Sequence, residues 1–226
     1  MYQRFNFSIG LALAGISSIG LLALAGCGSG NDSTTTSTGI PTGIATLEQV
    51  NAGRALVINN GCGDCHSQGV INPSAAVWLA GGSGSPTGAG PGDFNLGPLG
   101  ITHAVNLTPD PTNGAIYAST DRQVFNVLKW GLDPSDPNAN KVINSKADFP
   151  ATPKYVAPPM PWPAYRHKPD DQLWAIVAYL KHGLKANPHA VPESATSADD
   201  WRGFYSADSS PVPANSYPTA QEEFKP

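Results

Sequence analysis

Residues 62–66 read Cys-Gly-Asp-Cys-His, and no other stretch of the chain restricts its structure so tightly. On a helical turn, positions i, i+3 and i+4 share one face, so Cys62, Cys65 and His66 project together. Two thiols and an imidazole at this spacing are the attachment signature of a c-type haem. Cys62 and Cys65 would form thioethers to the two vinyl groups, while His66 reaches the iron. A chain built around such a group needs few helices, because the haem supplies a flat apolar surface on which loops can pack. Other readings of the same residues fit less well. A thioredoxin-like redox pair sits in a strand–helix context, whereas the residues before Cys62 look helical. A zinc site needs four ligands, and the remaining histidines are scattered. A structural disulfide has no use for His66.

The amino terminus reads as an address. Residues 1–26 hold one basic side chain, Arg4, no acid, and an apolar stretch from Ile9 to Leu24, ending in Leu24-Ala25-Gly26-Cys27. A basic start, an apolar middle and a small-residue end describe a secretory signal peptide. Its alternative is an uncleaved membrane helix, since the stretch is about long enough to span a bilayer. The cysteine after Leu-Ala-Gly resembles a bacterial lipoprotein signal, which implies acylation of Cys27 and a mature chain beginning there. Gly28, in place of an Asp that would resemble an inner-membrane retention signal, points to the outer membrane. Residues 28–39 have nothing to bury and read as a tether, so 27–45 is expected to link lipid to domain on the periplasmic side.

Haem iron in an electron carrier commonly takes Met or His as its second ligand. The chain has two methionines, and Met1 leaves with the signal peptide. Met160 remains, within Ala157-Pro158-Pro159-Met160-Pro161-Trp162-Pro163. The prolines hold this strap extended and remove backbone donors, which suits presentation of a thioether. The rival ligands are His103, His167, His182 and His189. Among them His103 stands out, in a loop rich in Gly and Pro; His182 ends a predicted helix, and His167 and His189 look superficial. A lone Met also serves as a core gap-filler.

Periodicity predicts three helices. Thr46–Asn60 carries Leu47, Val50, Leu56 and Val57 at helical spacing, with Thr46 as N-cap and Gly61 as stop. Ser119–Trp130 has Val124, Phe125 and Leu128 as its stripe, and Gly131 ends it. Pro169–His182 opens with Pro and two acids, closes with Lys181 and His182, and buries Leu173, Ile176, Val177 and Leu180. Residues 81–100 and 132–159 read as loop. With 24 Gly, 22 Pro and only 13% charged residues, long polar helices or a coiled coil are excluded as the bulk of the chain. The expected fold class is therefore mainly α: a small helical domain around one covalent haem, with long Gly/Pro-rich loops.

Gly53-Arg54-Ala55-Leu56 before the haem motif, Met160-Pro161, and Asp170-Asp171-Gln172-Leu173-Trp174-Ala175-Ile176-Val177-Ala178-Tyr179-Leu180 together resemble a class I-type cytochrome c domain. The resemblance covers roughly residues 46–185. It implies that the first and last helices cross, with Gly53 allowing close approach to Tyr179. Asn106-Leu107-Thr108-Pro109-Asp110 and Thr112-Asn113-Gly114 are similar to the cytochrome domains that serve periplasmic dehydrogenases. Many relatives of that type carry several haem motifs, whereas this chain has one, and its interval from His66 to Met160 is long. The tail, residues 186–226, has no counterpart. Its Trp201, Phe204, Tyr205, Tyr217 and Phe224 would wrap the domain or dock a partner.

The expected function is a monohaem electron carrier, not an enzyme, holding haem c through Cys62, Cys65 and His66, with Met160 as the opposite ligand. Alternatives are a haem-containing subunit of a dehydrogenase complex, or a ligand-binding or peroxidase haem protein with an open sixth site. The net charge is −4, which argues against a nucleic-acid partner. Loss of Arg4 makes it −5 in the mature chain. An acidic carrier suits a redox partner with a basic patch.

Overall fold

The structure, a computed structural model, describes residues 45–195 and 201–205, all of which fall in one unit spanning 38–226. The signal peptide, Cys27, nearly all of the tether, and the tail at 196–200 and 206–226 lie outside the described residues. Among the described residues no helix is long and apolar enough to cross a membrane.

Helix α1 spans Leu47–Asn59. Thr46 Oγ1 accepts from the Gln49 amide at 3.2 Å while Gln49 Oε1 accepts from the Thr46 amide at 2.9 Å, a reciprocal box that satisfies two orphan donors. Asn60 caps its end, and Gly61 turns the chain at φ 68° into α2, Cys62–His66. Helix α3 is Asp121–Trp130, boxed in the same way by Thr120 and Gln123. A single turn, α4, runs Trp162–Tyr165, and α5 runs Asp170–His182 after Pro169. A last turn, α6, covers Trp201–Phe204 in the tail.

Helices α1 and α5 cross at Gly53. A Cβ there would stand 1.8 Å from the Ala175 carbonyl oxygen and 2.9 Å from Tyr179 Cβ, so only glycine permits the approach. The core spreads from this crossing through Val57, Leu79, Val124, Phe125, Leu128, Leu173, Ile176, Val177 and Leu180. Leu47, which the periodicity places on the buried stripe, points to solvent instead. Phe125 stacks on Trp174 with centroids 4.3 Å apart, and the Arg122 guanidinium lies 4.6 Å from the Trp174 ring.

The loop reading of 81–100 needs correction. Strands β1, Asp93–Asn95, and β2, Ile101–His103, pair antiparallel with Asp93 opposite His103. His103 is therefore on a strand, not in a loop. Three-residue strands separated by Gly97 and Pro98 are too short to show alternation.

The long connections are ordered by side chains that bond distant backbone groups. Asn126, fully buried, donates to the carbonyls of Ala139 and Lys141 at 2.7 and 2.9 Å. Asp136 accepts from the Asn138 and Lys154 amides. Lys181 Nζ donates to the carbonyls of Ile116 and Ser119 at 2.8 and 2.6 Å, fixing the segment before α3 to α5. The described tail packs on the same body. Asn106 Nδ2 donates to the carbonyls of Asn187 and His189, and the Ala195 amide donates to the Ile101 carbonyl.

Candidate functional site

The site begins where α1 hands the chain to α2. Gly63, between the two cysteines, is sealed under Trp78: a Cβ would meet the indole Cζ3 at 2.4 Å. The Trp78 indole N–H donates to the Tyr179 hydroxyl at 2.9 Å. One buried bond thus ties the motif turn to α5, and the glycine makes room for it.

His66 donates its Nδ1–H to the Val105 carbonyl at 2.7 Å. That bond fixes the tautomer and the ring plane, as the outer bond of a metal-bound imidazole commonly does. Burial pulls the His66 pKa below its ordinary value, with the Val105 bond opposing. The ring is therefore neutral near pH 7, and Nε2 keeps its lone pair. Val105 follows β2 by two residues, so the hairpin missed by periodicity is what carries the anchor for His66.

The two thiols are free. Burial pushes Cys62 up to about 11, partly offset by a hydrogen bond with the Tyr165 hydroxyl. Cys65 is also raised, by burial and then by the charge of Asp64. A reactive redox thiol needs the opposite, a stabilised thiolate. Among the described residues no group of three His, Cys, Asp or Glu gathers as a metal cluster.

Cys62, Cys65, His66 and Met160 all face one cavity of about 710 Å3, a size usual for cofactor sites. Apolar walls come from Leu107, Ile116, Val124, Leu128, Ile176 and Leu180, and Asp64, Thr102, His103, Asp133, Ser135 and Ser194 add polar groups. Thr102 also borders the cavity, but its Oγ1 is sealed behind the lining. A porphyrin bearing carboxylates fits such walls: apolar over most of its face, with the hydroxyls of Ser135 and Ser194 among the lining as donors for its acids.

Met160 is half-buried against the core. Its amide donates to the Ala157 carbonyl, and its own carbonyl accepts from the Trp162 amide at 2.9 Å. With Pro161 at φ −82° and ψ 43°, this is an inverse γ-turn that kinks the strap at the methionine. His103 also lines the cavity, with Nδ1 2.6 Å from Asp93 Oδ1. Burial alone would raise the Asp93 pKa, but bonds from Ser83, His103, Ser85 and Gly84 outweigh it and hold it below the usual range.

The other histidines lie elsewhere. His182 ends α5, 3.9 Å from Asp121; His167 is exposed; His189, expected at the surface, is half-buried beside the Gly82 carbonyl at 2.9 Å. Sequence reasoning missed Val105, Trp78, Tyr165 and the cavity role of Trp201. Val105 acts through its carbonyl, which no side-chain pattern reports. No protein-family model matches the chain, and no curated protein matches it.

Proposed function

We propose that the chain is a monohaem c-type cytochrome, a mainly α cytochrome c-like domain tethered to a membrane by lipidated Cys27, which carries single electrons on the periplasmic side. The observation that carries this reading is the meeting of Cys62, Cys65, anchored His66 and the lone mature methionine on one cavity. Cys62 and Cys65 would hold haem c covalently. When bound, the group supplies a one-electron Fe(III)/Fe(II) couple.

The chain's own residues account for the rest. His66 offers Nε2 while Val105 holds the far edge of its ring. Because Nδ1 faces the segment just after β2, Nε2 points away from that segment. His103, the rival ligand, already has its Nδ1 engaged with Asp93 at 2.6 Å. Met160 comes from the strap between α3 and α5, which favours its sulfur as the opposite ligand. Met/His ligation raises the potential relative to two histidines. The apolar walls exclude water, and the Ser135 and Ser194 hydroxyls in the lining would be donors for a carboxylate. With Met160 as the second iron ligand no open position would remain for a substrate, which supports reading the protein as a carrier and not an enzyme.

Its partner is a redox protein with a basic face, complementary to a mature charge of −5. The similarity of Asn106–Gly114 to dehydrogenase-linked domains makes a periplasmic dehydrogenase the first partner to try. Spectroelectrochemical titration tests the reading. It expects one reversible one-electron wave, six-coordinate spectra in both states, and slow carbon monoxide binding to the reduced protein. Rapid carbon monoxide binding, or no reversible wave, overturns it in favour of a ligand-binding haem protein.

A further inference from the structure

The strap that carries Met160 has few backbone bonds to the rest of the fold. Pro158, Pro159, Pro161 and Pro163 have no N–H to donate; among the described residues the bonds within 157–164 are local, and the Val156 amide just before them donates to the Gly131 carbonyl at 2.9 Å. Beyond that one anchor and the contact of Met160 with the core, the strap is held at its ends by the side chains of Tyr155 and Trp162. Tyr155 is 5% exposed and Trp162 2%, and their rings stack with centroids 5.7 Å apart.

What covers both rings is the tail. Tyr205, 1% exposed, sits 5.0 Å from Tyr155 and 5.4 Å from Trp162 by ring centroids. Trp201, 2% exposed, joins the same cluster and also lines the cavity. Arg202 Nε donates to the Pro153 carbonyl at 3.1 Å, fastening α6 to the approach of the strap. The cluster is distinct from the main core around α1 and α5.

We propose that Trp201 and Tyr205 are positioning residues for the sixth ligand: by clamping Tyr155 and Trp162 they hold the Met160 sulfur toward the cavity. The inference rests on Met160 being that ligand. The tail beyond the helical domain is then part of the redox centre's support, and loosening it shifts the strap between a held and a released state. An outside ligand competes only with the held fraction, so its apparent affinity rises as that fraction falls.

The test is imidazole titration of the full-length holoprotein, followed by the haem spectrum, in the native chain, W201A, R202Q, M160A and the double variant W201A/M160A. Arg202 is exposed, so R202Q loosens the clamp without leaving a core cavity and keeps the test valid if W201A folds poorly. W201A is expected to bind imidazole about tenfold more tightly than the native chain, and R202Q several-fold more tightly. In the M160A background W201A should add nothing, since no sulfur remains to be released. An equal gain from W201A with and without Met160 would mean that the tail only screens the cavity, and would overturn the proposal. Unchanged affinity in R202Q and W201A overturns it too. If M160A itself binds imidazole no better than the native chain, the ligand assignment is what fails.

Discussion

Gly53→Ala puts two effects of known size in opposition. In the interior of an isolated helix, alanine is favoured over glycine by about 1 kcal/mol, so on propensity alone α1 would gain. At the crossing with α5 the new Cβ would lie 1.8 Å from the Ala175 carbonyl oxygen and 2.5 Å from its carbon. Both are backbone atoms, so no rotamer change relieves the clash. Ordinary contact begins at 3.4 Å, and reaching it requires the helices to part by roughly 1.5 Å. Such overpacking costs about 1–3 kcal/mol, occasionally more, and a backbone clash belongs at the upper end. The net expectation is a loss of about 2 kcal/mol, or about 4–8 °C in Tm for a domain of this size. Urea unfolding of the holoprotein measures it as a lower midpoint at unchanged slope. Ala52→Gly, exposed on the same helix, is the control and should cost about 1 kcal/mol from propensity. A G53A protein as stable as the native chain, or more so, would refute the close crossing and the placement of the haem motif that follows from it.

Asp93→Asn should cost about 1.5–3 kcal/mol at pH 7, because a carboxylate that accepts from Ser83, Gly84, Ser85 and His103 is replaced by a weaker acceptor. The Asp93 pKa is lowered on folding, so its stabilisation is present above the ordinary carboxylate pKa and fades as pH falls through the lowered one. Urea midpoints at pH 7 and pH 3 should converge between native and D93N at the acid end, and parallel curves would count against it. Burial pushes the Tyr155 hydroxyl up to about 12 from 10. Its contribution is therefore complete below pH 10 and is lost as pH climbs through 12. Tyr155→Phe should flatten that alkaline decline in the urea midpoint, and an unchanged decline would contradict the burial.

The motif and the three long helices were legible because their signals are local. Thr46 as a cap, and Pro169 before Asp170 and Asp171, announce helix starts within a few residues. Met160 could be singled out because the only other methionine in the sequence is Met1. The remainder rests on bonds between residues far apart in sequence, which no window can read. Asn187 donates to the Ala76 carbonyl across 111 positions, and the tail's Trp201 joins Trp162 and Tyr155, which lie 39 and 46 positions earlier. The Val105 carbonyl is invisible for a different reason: any residue supplies one, and only the hairpin before it decides where it points. His103 drew notice as a loop histidine, but the strand and Asp93 that hold it gave no pattern to see.

The proposed electron carrier depends first on a covalent bond between this polypeptide and a porphyrin. Intact-mass spectrometry of the denatured protein, expressed with the cytochrome c maturation machinery, measures it directly. The protein should be heavier than its polypeptide by one haem, a gain that survives denaturation, with Cys62→Ser and Cys65→Ser each giving weaker or partial attachment. A colourless protein whose mass matches the bare chain plus lipid would contradict it.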